Sequence, residues 1–516
     1  MNGAPTFNQC ILATIVGAVL LSACVAQTTS TVAPSSSGSA PTSPDRPPAL
    51  DRIREDEVRR DLFQLAGDAM RGREAGTLDE LRASMWVADR AREAGLLPAG
   101  EDGSYFQWWP MRRVRAGQGS TVSIGGRPFV LWREVIVAAP NAGSVIDAPL
   151  LYVGEGRDAD LAGHDIRGKA VVALLSAPAP LPAANISLRG YRYTLAAVRQ
   201  RAAFLLQKGA SAVVLVSDSI AEGEFERAGT ILARGRYNVD SADVGAIVVA
   251  PPVLWVRRAM LEQLRSGSPR LSASLVAESF VYPSVNVVAK VPGTDPTRRD
   301  EYVLFSGHQD HDGVRFPVNG DSIWNGADDN ASVSVGMLAI ARAWAARPGS
   351  RSALFVWHGA EERGLLGSRW YVAHPTVPRS SIVAVLNADM IGRNAPDSAA
   401  LLGAQPPHRN STALVAMALA ANASVSRFTL DSTWDRPTHP EGWYFRSDHL
   451  PYARAGVPAL FFTTLLHPDY HTPKDEPDRI DIGKLARVAR WMYATGWMVS
   501  ETPARPALDA GFRLER

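Results

Sequence analysis

Residues 357–368 read Trp-His-Gly-Ala-Glu-Glu-Arg-Gly-Leu-Leu-Gly-Ser and contain two adjacent acids, Glu361 and Glu362. The apolar run Ser352–Val356 precedes this motif and a helical pattern follows it, so both glutamates stand where a strand passes into a helix. In open α/β sheets, ligands bind beyond the carboxyl ends of the strands. Two glutamates there can divide the work, one holding a metal and the other moving protons. Glutamates also favour helix N-termini because of the helix dipole, so the pair gains meaning only from its neighbours.

Strand-like and helix-like segments alternate on both sides of this motif. Short apolar runs predict strands at Val285–Val291, Tyr302–Ser306, Ala353–Trp357, Ile382–Asn387 and Val457–Thr463. Apolar residues at helical spacing predict helices at Ala331–Ala345, Leu365–Ala373, Ser411–Ala421 and Ile482–Val499. This alternation predicts an α/β fold, with a mostly parallel central sheet covered by helices on both faces.

An insertion is expected to split this domain into two parts. Residues 50–119 form the first part, with helices predicted at Asp51–Asp68 and Leu78–Ala94. Residues 275–505 form the main part, which contains all the strands that alternate with helices. The two parts are therefore predicted to fold together although about 150 residues separate them.

The intervening residues 120–274 have a different texture, with short β runs and one amphipathic helix. The helix is predicted at Tyr193–Lys208, and the strands are predicted at Pro149–Val153, Ala170–Leu175, Ala212–Val216 and Gly245–Ala250. The order of these segments resembles a protease-associated domain, a small β-rich insert found in several peptidase families. Because this segment contains no cluster of catalytic residue types, we expect it to shape the cleft without taking part in the chemistry.

Residues 1–23 resemble a signal peptide of the lipoprotein type. The apolar run Ile11–Leu21 is too short to span a bilayer, which needs about 20 residues. It ends in Leu-Ser-Ala-Cys at Cys24, which resembles a bacterial lipobox and implies cleavage before Cys24, lipidation of that residue and export to the cell envelope. No Lys or Arg lies between Met1 and Cys10, which departs from the usual positive start. An ordinary secretory signal is the alternative.

The overall composition is that of a globular protein behind a polar tether. Residues 24–49 are rich in Ser, Thr and Pro and are predicted to form a disordered tether, because they have too little apolar surface to fold. The net charge of +2 gives no electrostatic reason to expect a nucleic-acid partner. The two cysteines, Cys10 and Cys24, both lie in the first 24 residues, so the folded part uses neither disulfides nor cysteine-metal sites.

Clusters of polar residues follow the predicted strands in the main part of the chain. They contain His308 and Asp310, Asp329, Glu361 and Glu362, Asp389, and Tyr470 and His471. The carboxyl ends of parallel strands meet at one edge of a sheet, so these side chains are expected to converge. Histidine and carboxylate ligands without a thiolate suit zinc. The sequence therefore predicts a zinc site at this edge.

The motifs that carry these residues resemble metallopeptidase family 28. They read His-x-Asp-His-x-Gly from His308, Asn-Gly-Ala-Asp-Asp-Asn-Ala-Ser from Asn325, Gly-Ala-Glu-Glu-x-Gly from Gly359, Asn-Ala-Asp-Met-Ile-Gly from Asn387, and Tyr-His-Thr-Pro from Tyr470. The family contains co-catalytic di-zinc aminopeptidases, with glutamate carboxypeptidases and glutaminyl cyclases as relatives. The resemblance covers about residues 51–500 in order and implies a zinc aminopeptidase-like fold.

The resemblance implies two zinc ions per chain, one of them held by His308 and Asp389. The other would be held by Glu362 and His471, and Asp329 would bridge the two ions. Two Zn²⁺ carry four positive charges, which the three carboxylates and a bridging hydroxide would neutralise. Near-neutrality is what a buried cluster requires, since an unpaired buried charge is costly.

The resemblance also assigns the remaining catalytic residues. Glu361 would be the general acid and base, and Asp310 would be the carboxylate that orients the zinc ligand His308. Tyr470 matches a tyrosine that stabilises the oxyanion in some relatives. The Asp329–Asn330 peptide bond is expected to be cis.

Taken together, the motifs predict a secreted, membrane-tethered zinc aminopeptidase that hydrolyses N-terminal residues from peptides. A carboxypeptidase or a glutaminyl cyclase-like enzyme on the same site is one alternative. A binding protein on an inactive peptidase scaffold is another, although such proteins lose ligands and here the ligand set is complete.

The other histidines carry weaker signals. His449, in Arg-Ser-Asp-His-Leu-Pro, lies in a segment that resembles the family's pocket-lining loop and is a candidate for a supporting role. His311 is expected to be structural or solvated, and His408 is expected to lie on the surface. Asp312 is charged at a position where relatives are often apolar.

Overall fold

The computed structural model describes residues 47–176, 187–239, 247–266 and 269–515. All of them belong to a single contact unit, Asp45–Arg516. The predicted signal peptide and nearly all of the predicted tether lie outside the described residues. Among the described residues, no helix is both long enough and apolar enough to cross a membrane.

The first part of the chain contributes two helices and two strands. They are α1 (Glu55–Leu65), α2 (Leu78–Glu93), β1 (Leu97–Pro98) and β2 (Phe106–Ala116). Helix α2 begins where the Thr77 side chain accepts hydrogen bonds from the backbone N–H groups of Asp79 and Glu80, a typical N-cap. The sequence does not predict strand β2, because its Arg-rich stretch lacks a clear apolar alternation.

The inserted part forms its own sheet and several helices. Its elements are β3 (Thr121–Ile124), β4 (Arg127–Pro128), β5 (Val135–Val137), β6 (Gly143–Tyr152), β7 (Ala170–Leu174), α3 (Arg189–Gln207), β8 (Ala212–Val216), α4 (Ser219–Gly223), α5 (Phe225–Arg234), β9 (Arg236–Val239), β10 (Val253–Val256), α6 (Leu261–Arg265) and β11 (Arg270–Leu275). Eight of these strands pair in the order β4-β3-β11-β6-β7-β8-β10-β5. Separate apolar cores lie against the sheet, one of them including residues of α3 and α5.

Two details of the insert differ from the prediction. Strand β9 leaves the insert and pairs antiparallel with β2 of the central sheet, so the predicted 120–274 segment contributes to both sheets. The predicted strand Gly245–Ala250 lies partly outside the described residues, and its described part forms only an isolated bridge between Val249 and Ala142. Hydrogen-bond pairing across distant segments decides both points, and local apolar patterning does not report it.

The main part continues the chain with strands and helices in turn. They are β12 (Ala277–Val291), β13 (Tyr302–His308), β14 (Gly313–Val318), β15 (Asp321–Trp324), α7 (Val333–Ala346), β16 (Ser352–His358), α8 (Leu366–Ala373), β17 (Ile382–Ala388), β18 (Ser398–Leu402), α9 (Thr412–Ala421), β19 (Thr429–Leu430), α10 (His449–Arg454), β20 (Ala459–Thr463) and α11 (Ile482–Glu501). The predicted strands and helices of this part are present, with ends that shift by a few residues. Only β12 is much longer than predicted, because it runs on to pair with β2.

The central sheet is mixed, which corrects the expectation of a mostly parallel sheet. Among the described residues it has ten strands, in the order β19-β18-β20-β17-β13-β16-β12-β2-β9, with β1 paired to β12. The four central strands β20, β17, β13 and β16 are parallel to one another. On one side β12, β2 and β9 are antiparallel, and on the other β18 is antiparallel to β20. The α/β class and the parallel centre are as predicted.

Helices cover both faces of the sheet, as predicted. The larger core joins α1, α7, α9 and α11 to one face and includes the fully buried Trp344 and Trp491. The smaller core joins α8 and α10 to the other face through Tyr371 and Tyr452. This packing buries six of the seven residues of β13, all except Tyr302, and so fixes the position of its carboxyl end.

Candidate metal centre and active site

The parallel strands bring the predicted ligands to one edge of the sheet. His308 is the last residue of β13 and pairs in register with His358, the last residue of β16. Glu361 and Glu362 follow β16 in a short 3-10 turn, and Asp389 directly follows β17. The side chains therefore meet because their strands end side by side, which is the arrangement that the sequence predicted.

His308, Asp389 and Glu361 form the first of two clusters of residue types that could surround a metal ion. Nε2 of His308 lies 3.5 Å from Oδ2 of Asp389 and 3.7 Å from Oε2 of Glu361. The histidine is fully buried and its Nε2 has no aligned hydrogen-bond partner among the described residues. A buried nitrogen of this kind, surrounded by carboxylates, fits the donor set of a zinc position.

Asp329 connects this group to a second one. Its Oδ1 lies 3.4 Å from Nε2 of His308, and its Oδ2 lies 3.1 Å from Nε2 of His471. Nε2 of His471 is also 3.2 Å from Oε1 of Glu362. The two oxygens of one carboxylate thus face two different groups of ligands, as a bridging ligand would.

The second group contains His311, which the sequence motifs did not assign to the metal. His311 was expected to be structural or solvated, but it is fully buried and is grouped with Asp329, Glu362 and His471. Its Nδ1 lies 2.8 Å from Oε1 of Glu362. The only sequence signal was a second histidine three residues after His308, and the turn that brings it back to the site is a tertiary feature.

Asp475 holds the loop that carries Asp329 in place. Its carboxylate accepts hydrogen bonds from the backbone N–H groups of Asp328, at 3.0 and 3.1 Å, and of Asp329, at 3.0 Å. The Asp329–Asn330 peptide bond is cis, which confirms the expectation. Asn330 in turn accepts a hydrogen bond from the backbone N–H of Met390, which ties this loop to the one after β17.

Asp310 contacts different atoms from those expected. Its carboxylate lies 3.7 Å from Nδ1 of His308, too far for a hydrogen bond, and the carbonyl oxygen of Asp310 is the closer contact at 3.1 Å. The carboxylate instead accepts hydrogen bonds from the backbone N–H groups of Glu361, at 3.0 Å, and Glu362, at 3.3 Å. The carboxylate of Asp310 therefore positions the turn that carries both glutamates. The backbone carbonyl of Asp310 positions the ring of His308.

The charges of this cluster favour the binding of cations. Burial alone would lower the pKa of both histidines, but the surrounding carboxylates raise the pKa of His308 well above its usual value and that of His471 to about 9. Burial raises the pKa of Glu361 well above its usual value, and the nearby Asp389 and Glu362 add to this effect. The protein groups thus create a site where positive charge is stabilised, which is the property that a metal site needs.

Tyr470 lies beside His471 and is held by an arginine. The centroids of the two rings are 4.0 Å apart, and the Tyr470 hydroxyl accepts a hydrogen bond of 2.8 Å from Arg446. Burial raises the pKa of Tyr470 well above its usual value, so the hydroxyl keeps its proton. A protonated phenol that already accepts one hydrogen bond can donate its own to a developing oxyanion.

A cavity of about 300 Å³ opens onto the two ligand groups. Its lining combines carboxylates of the centre with Leu365, Trp443, Phe445 and Arg446. Ligand pockets usually span about 300–1,000 Å³, so this cavity is at the small end of that range. Apolar side chains and the candidate metal ligands thus line the same cavity.

Two further histidines, His449 and His408, are not among the residues that line this cavity. His449 is fully buried and packs between Tyr444 and Phe461, and burial lowers its pKa to about 3. It is not among the residues that line the cavity, and its supporting role stays a prediction. His408, expected on the surface, is buried and bonded to Asp435, so that expectation was wrong.

Asp312 lies beside His471, on the side of the ring opposite the atom that faces the centre. Its Oδ2 lies 3.5 Å from Nδ1 of His471, and Arg315 and Arg363 are paired with its Oδ1. In the sequence, Asp312 stands out only as an unusual charge. The structure places that charge behind His471, where a carboxylate helps to orient a ligating imidazole.

Several known proteins are similar to this chain in sequence. The family described as Peptidase family M28 matches residues 286–496, which contain all five predicted metal ligands. Aminopeptidase YwaD of Bacillus subtilis is 25% identical over 396 residues, covering 75% of this chain and 74% of that protein. A protein named Probable leucine aminopeptidase from Arthroderma benhamiae is 26% identical over 229 residues, covering 42% of this chain. The chain spans 57% of the length of that relative, a little over half.

Solved structures share the fold over most of the chain. BSAP, a zinc aminopeptidase from Bacillus subtilis, superposes with a TM-score of 0.55 at 19% identity, covering 89% of this chain and 99% of that one. An aminopeptidase from Aneurinibacillus sp. strain AM-1 gives a TM-score of 0.53 at 20% identity, covering 89% of this chain and 97% of that one. Residues 286–496 are therefore similar in sequence to the M28 peptidases, and most of the chain shares its fold with solved aminopeptidase structures.

Proposed function

We propose that this chain is a zinc-dependent aminopeptidase that hydrolyses N-terminal residues from peptides. The observation that carries the proposal is the position of Asp329, whose two carboxylate oxygens face two separate groups of zinc-type ligands. Glu361 lies at the edge of the same centre, 3.7 Å from His308, where a proton acceptor is needed. The similarity to aminopeptidases supports the choice of reaction.

Two zinc ions are proposed for the centre. His308 and Asp389 would hold one, Glu362 and His471 the other, and Asp329 would bridge them. The ligand atoms are nitrogens and carboxylate oxygens, which suit zinc, and unpartnered buried atoms such as Nε2 of His308 need such a partner. A zinc pair would supply a polarised water with a pKa lowered towards about 7.

The residues of the chain then divide the remaining work. Glu361 accepts the proton of the attacking water and passes it to the amine that leaves, as a general base and then a general acid. Tyr470 donates a hydrogen bond to the oxyanion, while Arg446 holds the phenol in place. Asp310 keeps Glu361 in reach by binding the backbone N–H of its turn.

The cavity supports cleavage at a chain end. At about 300 Å³ it has room for a short group, and Leu365, Trp443 and Phe445 form the apolar part of a lining that also includes the carboxylates of the centre. We therefore expect a preference for peptides whose N-terminal residue is apolar. Internal cleavage would require space for chain on both sides of the metal centre.

A substrate series with matched blocked compounds tests this function. Purified protein should release aniline from aminoacyl anilides with a free amino group, and N-acetylation of the same compounds should abolish the reaction. A chelator should remove the activity, and added zinc should restore it. Release of C-terminal residues from blocked peptides would identify a carboxypeptidase, and release of ammonia with ring closure of N-terminal glutamine would identify a cyclase. Zinc bound without any turnover would identify a binding protein.

The insert and the N-terminus complete the proposal. Residues 120–274 are proposed to act as a protease-associated domain that shapes the cleft. A contact of 2.8 Å between Arg192 of α3 and Glu441, near the cavity, supports this role. Export and a lipid anchor on Cys24 are proposed from the lipobox-like sequence. A Cys24→Ser variant should move from the membrane fraction to a soluble or uncleaved form. Unchanged fractionation would count against the anchor.

A further inference from the structure

The imidazole of His311 occupies the metal centre without belonging to the predicted ligand set. It is fully buried, and its Nδ1 lies 2.8 Å from Oε1 of Glu362 and 4.0 Å from Oδ2 of Asp329. Its ring meets that of His471 edge to face, with centroids 5.4 Å apart. One atom from each of these four residues lies within 4.8 Å of every other. The spacing suits four donors around one ion.

Hydrogen bonds within the described protein do not satisfy the two buried nitrogens of the His311 ring. Neither of its ring nitrogens has an aligned hydrogen-bond partner among the described residues, and neither does Oε1 of Glu362. Buried polar atoms are almost always satisfied, because an unsatisfied one forfeits its interaction with water. A cation between these atoms would satisfy the nitrogen and the carboxylate together.

The surrounding backbone is shaped to admit this ring. A Cβ on Gly326 would lie 2.3 Å from Cγ and 2.5 Å from Cδ2 of His311, closer than atoms can approach. Gly326 also has a φ of 60°, which glycine adopts without strain. On the other side, the backbone N–H of His311 donates to the carbonyl of Arg73 at 3.3 Å. Gly326 therefore leaves room for the ring, and the hydrogen bond to Arg73 fixes the backbone that carries it.

We propose that His311 is a fourth side-chain ligand of the metal position formed by Asp329, Glu362 and His471. The inference rests on the proposed two-zinc centre and adds an asymmetry to it. One position then has four protein ligands, which is typical of a closed zinc site, while the position of His308, Asp389 and Asp329 has three. Zinc sites with three protein ligands keep a place for water or substrate.

The asymmetry assigns different roles to the two positions. Glu361 lies 3.7 Å from His308, and within the described part of the chain no contact of this kind joins it to His311. The general base therefore stands beside the position that has room for an exchangeable ligand. The four-ligand position would hold its ion more tightly and keep Asp329 and His471 in place.

X-ray absorption spectroscopy of the two-zinc protein tests the proposal directly, because it counts imidazole ligands. The wild-type protein should show three imidazoles for two zinc ions, and His311→Ala should show two. Zinc release to a chelator should be biphasic for the wild type, and the slow phase should become at least about ten-fold faster in the variant. His311→Gln keeps most of the side-chain volume and replaces the alanine variant if that variant does not fold. It should give the same imidazole count and the same faster release.

His449→Gln is the matched control, since His449 is also fully buried but packs among aromatic rings away from the centre. It should keep three imidazoles and both release phases. A wild-type count of two imidazoles for two zinc ions, unchanged in His311→Ala, would overturn the proposal. The proposed peptidase function fails separately, by the absence of turnover, and three imidazoles for two zinc ions in an inactive protein would still support the role of His311.

Discussion

The central sheet and the insert sheet contain the same arrangement of strands and use it differently. Each has four adjacent parallel strands, β20-β17-β13-β16 in one and β6-β7-β8-β10 in the other. They differ in the polar groups that follow the strands. After β8 of the insert, Ser217 accepts a hydrogen bond from Trp255 and Asp218 caps α4 and accepts one from Tyr193.

Polar groups at the edge of the central sheet, by contrast, converge on one another, and several of their atoms lack an aligned hydrogen bond. Nε2 of His308, both ring nitrogens of His311 and Oε1 of Glu362 have no aligned partner among the described residues. Parallel strands that end together create a place for chemistry. The difference between the two sheets teaches that a site arises where the polar residues after the strands are not needed for capping or packing.

The largest effect is expected at the central edge, from separating its two adjacent glutamates. Glu361→Gln keeps the shape of the side chain but cannot accept a proton, so turnover should fall by about 10²–10⁴-fold or more while zinc content stays at two per chain. Glu362→Gln replaces an anionic ligand with a neutral amide and should lose one zinc. Turnover and metal analysis of both variants check this. Zinc loss in Glu361→Gln with both ions kept in Glu362→Gln would reverse the two roles.

The insert should instead respond through stability. Leu254 is fully buried in β10, and Leu254→Ala should lower the free energy of unfolding of its region by about 2–5 kcal/mol, because it removes apolar contacts and leaves a cavity. Zinc content at room temperature should not change. Chemical denaturation with parallel metal analysis measures both. Loss of zinc before the loss of structure would show that the metal centre depends on the packing of the insert sheet.

Glu441 joins the insert to the region around the candidate metal centre. It is buried and accepts hydrogen bonds from Ser187 and Arg192 of the insert and from Arg446 beside the cavity. Glu441→Gln should cost about 1.5–3 kcal/mol of stability, the usual contribution of hydrogen bonds to a charged group.

Because Arg446 also holds Tyr470, turnover in Glu441→Gln should fall while zinc is retained. Glu278→Gln is the matched control, since Glu278 pairs with Arg115 at a solvent-accessible position, where an ion pair contributes little to stability, so stability should stay nearly unchanged. Turnover at the wild-type level in Glu441→Gln would show that the insert does not act on the centre through this carboxylate.

The smallest effect concerns a buried histidine whose partners are all supplied by the protein. Burial lowers the pKa of His408, but hydrogen bonds to Asp435 and Glu515 outweigh burial and raise it above the usual value of about 6.5. A raised pKa means that the folded state binds the proton more tightly. The stabilisation is therefore complete below about pH 6.5 and is lost as the pH rises through the folded pKa.

Urea unfolding of the wild type and His408→Gln at about pH 6 and about pH 9 measures this contribution. The difference in unfolding free energy between the two proteins should be larger at the lower pH. Equal differences at both values would mean that His408 is neutral in the folded protein, and that its position reflects packing against Tyr444 alone.

Much of the candidate site follows from the sequence. The motifs identify His308, Asp329, Glu362, Asp389 and His471, and the structure brings all five together. Such a prediction is possible because most of these motifs lie directly after a strand with a clear apolar run. Strand ends are local features, and in a parallel sheet they determine which side chains share an edge.

The sequence by itself determined the α/β class and the alternation of strands and helices, because these depend on local periodicity. Its motifs pointed to the five candidate ligands through their resemblance to a known family. Only the tertiary structure decided the antiparallel flank and the return of β9 to the central sheet, because strand direction and pairing depend on contacts between distant segments. It also decided the place of His311, whose ring enters the centre only because Gly326, in a separate loop, leaves room for it.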